Sequence, residues 1–308
     1  MTMKYFVGVT DNNWFNFLSS IKPDEVNFWR PSGISFKSID IGLPFLFKLH
    51  SPLNYIVGGG FFIKSEILPL SLAWDAFGEK NGASNINILK NAINQYRKET
   101  NNNPEIGCII LNEPFFFERK DWIPIPKNWS KNIVSGKSYN TSDSIGLELW
   151  NEVQERLSFD INKISDQLEI YGEGNRYGKA YISRSRLGQG AFRVLVADAY
   201  HRRCAITAER TLPVLEAAHI KDFSKEGPNR VDNGILLRSD LHKLFDKGYL
   251  TITTDYNIEV SRRLKEEFEN GKIYYPYHGK QIKVIPETIE ERPSKEYLIW
   301  HNNNRYNG

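Results

Sequence analysis

The chain has 308 residues, of which 40% are hydrophobic and 25% charged, and a formal net charge of +3. That length suggests two domains, and the balance describes a soluble globular protein rather than a disordered one. No run reaches about 18 apolar residues, so no membrane span is expected, and two cysteines, Cys108 and Cys204, cannot build a disulfide framework or a four-thiolate zinc site.

The N-terminus, "MTMKYFVGVTDNNW", passes straight into strand-like alternation without the charged start and apolar core of a signal peptide. A reducing cytoplasm is the default compartment. The charge is uneven. Arg176 to Gly248 holds 14 Lys and Arg against 8 Asp and Glu, more positive than the whole chain. Such a segment is a polyanion footprint or an uneven solvated surface.

Residues 3–140 read as aromatic strands and turns. "KYFVGVT" opens as a strand and "DNNWFNFLSS" as a short helix, and "IKPDEVNFWRPSG" reads as a loop. "PFLFKLHSP" and "NYIVGGGFFIKSE" form a strand pair, with Gly58–Gly60 allowing a bend or bulge. "NINILKNAINQYRKET" is helical, since Ile86, Ile88, Leu89, Ala92 and Ile93 cluster on one side. "EIGCIILNEPFFF" is a buried strand.

Residues 141–180 read as a helical linker, with Trp150, Val153 and Leu157 at helical spacing before the glycines of "IYGEGNRYGK". In "RLGQGAFRVLVADAYHRR", Phe192, Leu195, Val196, Ala199 and Tyr200 mark an amphipathic helix. "LPVLEAAHI" and "GILLR" read as strands. "SDLHKLFDKG" is a helix with Ser239 as N-cap and Gly248 as stop, and "YLTIT" with "NIEVS" makes a hairpin.

The stretch "LEAAHIKDFSKEGPNRVDNGILLRSDLHKLFDKG", Leu215 to Gly248, is therefore strand, loop, strand, helix. His219 ends the first strand and Asn233 starts the second. His242 and Asp246 are four apart on the helix and share a face, where two ligands can grip a divalent ion. Asp246 near a helix C-terminus is mildly unfavourable electrostatically, which favours a metal role over a solvated one. Asn233, before Gly234, is also an ordinary turn residue.

This pattern resembles the HNH endonucleases, whose site is a ββα-metal unit. "EAAHI…NGILLRSDLHKLFDKGYLTI", "RSRLGQGAFRVLVADAYHRRCAIT" and the tail "RPSKEYLIWH" are similar to the branch found in predicted restriction endonucleases. The resemblance spans residues 181–301. It implies that His219 is the general base, that Asn233 steadies its loop, and that His242 binds the metal. The residue before the base is often a metal ligand in this family. Here it is Ala218, and Asp246 or Glu216 is the candidate substitute. Where many members carry a zinc-binding CxxC, this chain has "CAIT" with Thr207 at the second position, so no structural zinc is expected. Of the other histidines, His50, His201 and His278 read as structural, and His301 is a candidate to pack near the site.

The chemistry implied is phosphodiester hydrolysis. A neutral imidazole suits proton abstraction at neutral pH, and Mg²⁺, Mn²⁺ or another divalent ion is the implied cofactor. Arg186, Gln189 and Arg193, at the start of the basic helix, are candidates for phosphate contacts or for bracing that helix.

The front half, in "VNFWRPSG", "LAWDAFGEKNG" and "WIPIPKNWSKNIVSGKSY", is similar to PUA-like domains of the EVE type. These are small β-barrels that take a flipped modified base. Trp14, Trp29, Trp74 and Phe62 are then pocket candidates, with Arg30 and Asn27 as polar contacts; the competing reading makes the aromatics core. The expected fold is α+β: a PUA-like β-barrel over 1–140, a linker over 141–180, and a ββα-metal HNH nuclease over 181–308. The expected function is a metal-dependent DNA endonuclease of the modification-dependent restriction type, sensing modified cytosine in double-stranded DNA. A homodimer is an option. Two other readings stay open: a DNA-binding regulator with a degenerate HNH fold, prompted by Ala218, and an RNA-directed PUA-like module.

Overall fold

Alternating apolar residues in the front half build one mixed sheet whose two faces are both buried. The computed structural model describes residues 2–98, 101–160, 187–225 and 227–308. The chain divides into two units, Met1–Ser185 and Arg186–Gly308.

In the first unit, β1 (Lys4–Thr10) leads into α1 (Asn12–Ile21), whose N-terminus is capped by the Asp11 carboxylate accepting from Trp14 N. Then come β2 (Glu25–Arg30), β3 (Pro44–Leu49), β4 (Tyr55–Pro69), α2 (Leu70–Phe77) and α3 (Ile86–Asn94). β5 (Glu105–Phe116), β6 (Ile123–Pro124), β7 (Gly136–Asn140) and α4 (Ser144–Asp160) complete it. The strand order is β2-β5-β4-β3-β1-β7, with β6 on β4, and β1 pairs with β3 in parallel. The register of β4 against β5 shifts between Gly59 and Phe61, where the glycine run anticipates a bulge.

Successive strand residues face opposite ways, so the aromatic runs feed two cores. Phe45, Phe47 and Leu49 of β3 pack with Trp14, Phe15 and Leu18 of α1. Leu46 of β3, with Tyr5 and Val7 of β1, packs with Leu149, Trp150 and Val153 of α4. Helix α4, read from sequence as linker, thus belongs to the core of the first unit. The expected PUA-like barrel is corrected as well. β2 and β7 end the strand path and do not pair among the described residues, so the sheet is open. Helices cover both faces, and the sheet need not close on itself to bury its apolar side chains.

"VNFWR" is likewise corrected from loop to strand. Val26 and Phe28 alternate into the core, and β2 pairs with β5 from Glu25 to Arg30. That burial outweighs the breaker signal of Pro31 and Gly33.

The second unit begins with α5 (Gln189–Ala199). β8 (Leu215–His219) and β9 (Gly234–Arg238) pair antiparallel, with His219 opposite Gly234. α6 (Ser239–Asp246) follows at once. β10 (Leu250–Ile252) and β11 (Ile258–Val260) form the expected hairpin, and α7 (Arg263–Phe268) and α8 (Lys295–Asn304) follow. A Cβ at Gly234 would lie 2.3 Å from Val196 Cγ2, so this glycine lets α5 seat on the hairpin. Ser239 is the first residue of α6 rather than its cap. Arg238 holds the cap position and pairs with Asp240 through both carboxylate oxygens.

The "CAIT" turn is held by hydrogen bonds. Cys204 Sγ accepts from Thr207 N and Arg238 N, and Ala205 N donates to Leu236 O.

Candidate active site

A hairpin followed directly by a helix brings strand-end and helix-face side chains together. A cavity of about 430 Å³ is lined by Gln189 and Arg193 of α5, Ala217 and His219 of β8, and His242 and Asp246 of α6. Asp222, Ser224 and Arg305 complete its wall, and Arg305 pairs with Asp222. Of the sequence candidates, His219, His242, Asp246, Gln189 and Arg193 are thus brought together. Arg186 lies outside the described residues.

His219 stacks flat on Phe192 of α5, with centroids 4.1 Å apart and planes 12° apart. Its Nε2 is 2.8 Å from Asn229 Oδ1, and Asn229 Nδ2 donates to Leu187 O at 2.8 Å. Burial depresses the pKa of His219 below the ordinary histidine value, against the opposing hydrogen bond to Asn229 Oδ1. The shift favours the neutral ring, the form a proton acceptor needs.

Asn233 is fully buried beneath the loop that follows His219. Its Oδ1 accepts from Lys221 N, its Nδ2 donates to Lys221 O and Pro228 O, and its carbonyl accepts from Ile220 N. One amide side chain therefore ties both ends of the loop to β9.

His242 sits between two carboxylates. Nδ1 is 2.6 Å from Glu216 Oε2, and Nε2 is 3.2 Å from Asp246 Oδ2. Burial lowers its pKa, but the hydrogen bonds to Asp246 and Glu216 outweigh burial and raise it above the ordinary value. Glu216 shares a strand face with Ala218, and its carboxylate reaches this helix.

Among the described residues, no three His, Cys, Asp or Glu side chains converge for a metal. The two donors His242 Nε2 and Asp246 Oδ2 nevertheless fit one hard cation. At 3.2 Å apart, they would hold one divalent ion between them. Glu216 would then orient the ring from Nδ1, as carboxylates behind metal-bound histidines do.

His301 lies behind the site, not in it. It is buried, stacks on Phe245 at 3.8 Å, and bonds Phe245 O through Nε2, bracing α6. A second hollow of about 630 Å³ adjoins the cavity through Ser224 and Arg305, and Lys221, Lys225, Trp300 and Asn304 line the rest of it. Sequence reading missed Asn229, Asp222 and this groove. Asn229 in "KEGPNR" carries only a turn signal.

An HNH endonuclease family model matches residues 204–253, which hold His219, Asn233, His242 and Asp246. The second unit contains an HNH endonuclease domain. The HNH domain identifies the protein as a nuclease, and HNH endonucleases generally use a divalent metal. No curated protein matches the chain. Among solved structures, "Modification dependent TagI restriction endonuclease" is similar at 11% identity and a TM-score of 0.27, covering 90% of this chain and 74% of that one. No described helix is long and apolar enough to cross a membrane.

The first unit has its own cavity, of about 230 Å³, walled by Trp14, Trp29, Phe28, Phe36 and Phe45 with Arg30 among its polar groups. Trp29 Nε1 donates to Asn81 O at 3.0 Å. Gly82, at φ 82°, abuts Trp14, and a Cβ there would lie 2.1 Å from the indole. The Asn81–Gly82 turn thus sets both tryptophans. Three other candidates are placed elsewhere. Asn27 is buried, donates to Asn81 Oδ1 and Cys108 Sγ, and does not line the cavity. Phe62 is core, edge-on to Phe36. Trp74 lies on α2, outside the cavity wall.

Proposed function

We propose that this protein is a metal-dependent DNA endonuclease of the restriction type that senses a modified cytosine through its first unit. One observation carries the reading: His219, His242 and Asp246 share a single cavity with Gln189 and Arg193. Neutral His219 takes the proton of the attacking water. Asn233 holds the loop that follows it. His242 and Asp246 would hold Mg²⁺ or Mn²⁺, which supplies charge neutralisation at the phosphate and at the leaving oxygen. Arg193 and Gln189 contact the phosphate backbone.

The aromatic cavity supports the sensing half of the proposal. Extruding a base costs a few kcal/mol, and stacking on aromatic faces returns about 1–3 kcal/mol per base. Trp14 and Trp29 are the stacking candidates and Arg30 the polar contact.

The test is digestion of matched unmodified, methylated and hydroxymethylated duplexes with Mg²⁺ or Mn²⁺. Cutting confined to a modified duplex supports the whole reading. Equal cutting of all three removes the sensor, and binding without cutting removes the nuclease in favour of a regulator.

A further inference from the structure

Two asparagines act in series behind His219. Asn233 Nδ2 donates to Pro228 O at 2.9 Å, which anchors the backbone next to Asn229. Asn229 is itself buried, at 8% exposure, and its side chain bridges Leu187 O and His219 Nε2. The Leu187 carbonyl can only accept, so the group facing it is the amide NH₂ of Asn229. The other end of that amide, Oδ1, can also only accept. The His219 nitrogen facing it must therefore carry a proton.

We propose that Asn229 is a positioning residue that sets the tautomer of His219. Nε2 holds the ring proton, and Nδ1 is the nitrogen that acts on water. The proposal rests on the base role assigned to His219 above. Phe192 completes the restraint, since a ring stacked at 4.1 Å on a buried phenyl cannot turn over without unpacking α5.

The reaction balances with these groups. An O–H bond of water breaks and its proton passes to Nδ1. The oxygen bonds to phosphorus as the bond to the 3′ oxygen breaks. That oxygen keeps the electron pair and takes a proton from solvent water. Nδ1 later returns its proton to solvent. In the wrong tautomer, Nδ1 carries a proton and cannot accept one. A misassigned base forfeits about 10²–10⁴-fold in rate.

A residue that only braces the loop would not control the ring proton. The experiment uses the full chain with ¹⁵N-labelled histidine and reads the His219 ring nitrogens by NMR, beside single-turnover cleavage of duplex DNA with Mg²⁺. The wild type is expected to show a protonated Nε2 and an unprotonated Nδ1. Asn229→Leu removes both hydrogen bonds. It should mix the tautomers and lower the cleavage rate at saturating DNA several-fold, in proportion to the Nε2–H population lost, with affinity for DNA within twofold. Asn229→Asp keeps the acceptor, so it should keep the Nε2–H tautomer and cut faster than Asn229→Leu. Circular dichroism establishes that both variants are folded. A wild type protonated on Nδ1, or an Asn229→Leu with unchanged tautomer and rate, overturns the proposal. If the tautomers behave as expected but the wild type cuts no DNA, the base role and the nuclease reading fall while the hydrogen-bond assignment stands.

Discussion

His219 and His242 line one cavity, and their surroundings push the two imidazoles in opposite directions. Burial against Phe192 lowers the pKa of His219, while Asp246 and Glu216 raise that of His242. In the proposed mechanism the neutral ring serves as the base, and the ring flanked by Glu216 and Asp246 would hold the cation.

His219→Ala should lower cleavage by about 10²–10⁴-fold and leave DNA affinity near the parent's, because a base acts on water and not on binding. Cleavage and binding measured on the same duplex check this. Substantial cutting by the variant at saturating metal excludes His219 as the base.

His242→Ala should shift the Mg²⁺ dependence of cleavage most, Asp246→Ala less. Glu216→Gln should weaken the apparent metal affinity about 10–100-fold, since it orients the ring from Nδ1. Metal titrations of the cleavage rate read all three. Curves that coincide with the parent's would falsify the ligand assignments.

The first unit alone should bind modified DNA selectively and cut nothing. The fragment to use is residues 1–160, because Leu149, Trp150 and Val153 of α4 lie in its core. Trp29→Ala should cost about 1–3 kcal/mol of binding if the indole stacks on a base. Circular dichroism must accompany it, since Trp29 also anchors to Asn81. Equal affinity for modified and unmodified duplexes rules out the sensor.

Acid should destabilise the second unit through His301. Burial lowers its pKa to about 4, below the ordinary value of 6.5. Its contribution is therefore intact above about pH 6.5 and lost as the pH falls toward 4, by up to about 3 kcal/mol. Denaturant unfolding at pH 7 and pH 5 should show the loss, and His301→Gln should flatten it. An equal pH response in the variant assigns the effect to other groups.

Lys221 and Lys225 should carry phosphate contacts in the groove beside the cavity. Replacing both with Ala should reduce the slope of log K against log salt by about 2 for duplex binding. Replacing the exposed Lys272 and Lys280, which do not line the groove, should leave it unchanged. An unaltered slope in the first pair means that DNA takes another path.

The sequence by itself determined whatever depends on local period. The four-residue interval from His242 to Asp246 puts both on one helix face, and the alternation of "EAAHI" makes it a strand. The spacing from His219 through Asn233 to His242 was enough to mark the hairpin and helix. Local signals failed where burial decided. Pro31 and Gly33 suggested a loop, yet Val26 and Phe28 had a core to enter. Trp150 and Val153 revealed a helix but not the sheet face it covers. Only the tertiary structure put Trp29 and the core residue Trp14 on a cavity wall and left Phe62 and Trp74 off it. Only the folded loop set Asn229 on His219, and only the helix packed on the hairpin set Glu216 on His242. Those contacts join residues 10 and 26 positions apart. A helical or strand repeat relates near neighbours, and the folding of a loop or the packing of one element on another leaves no period in the chain.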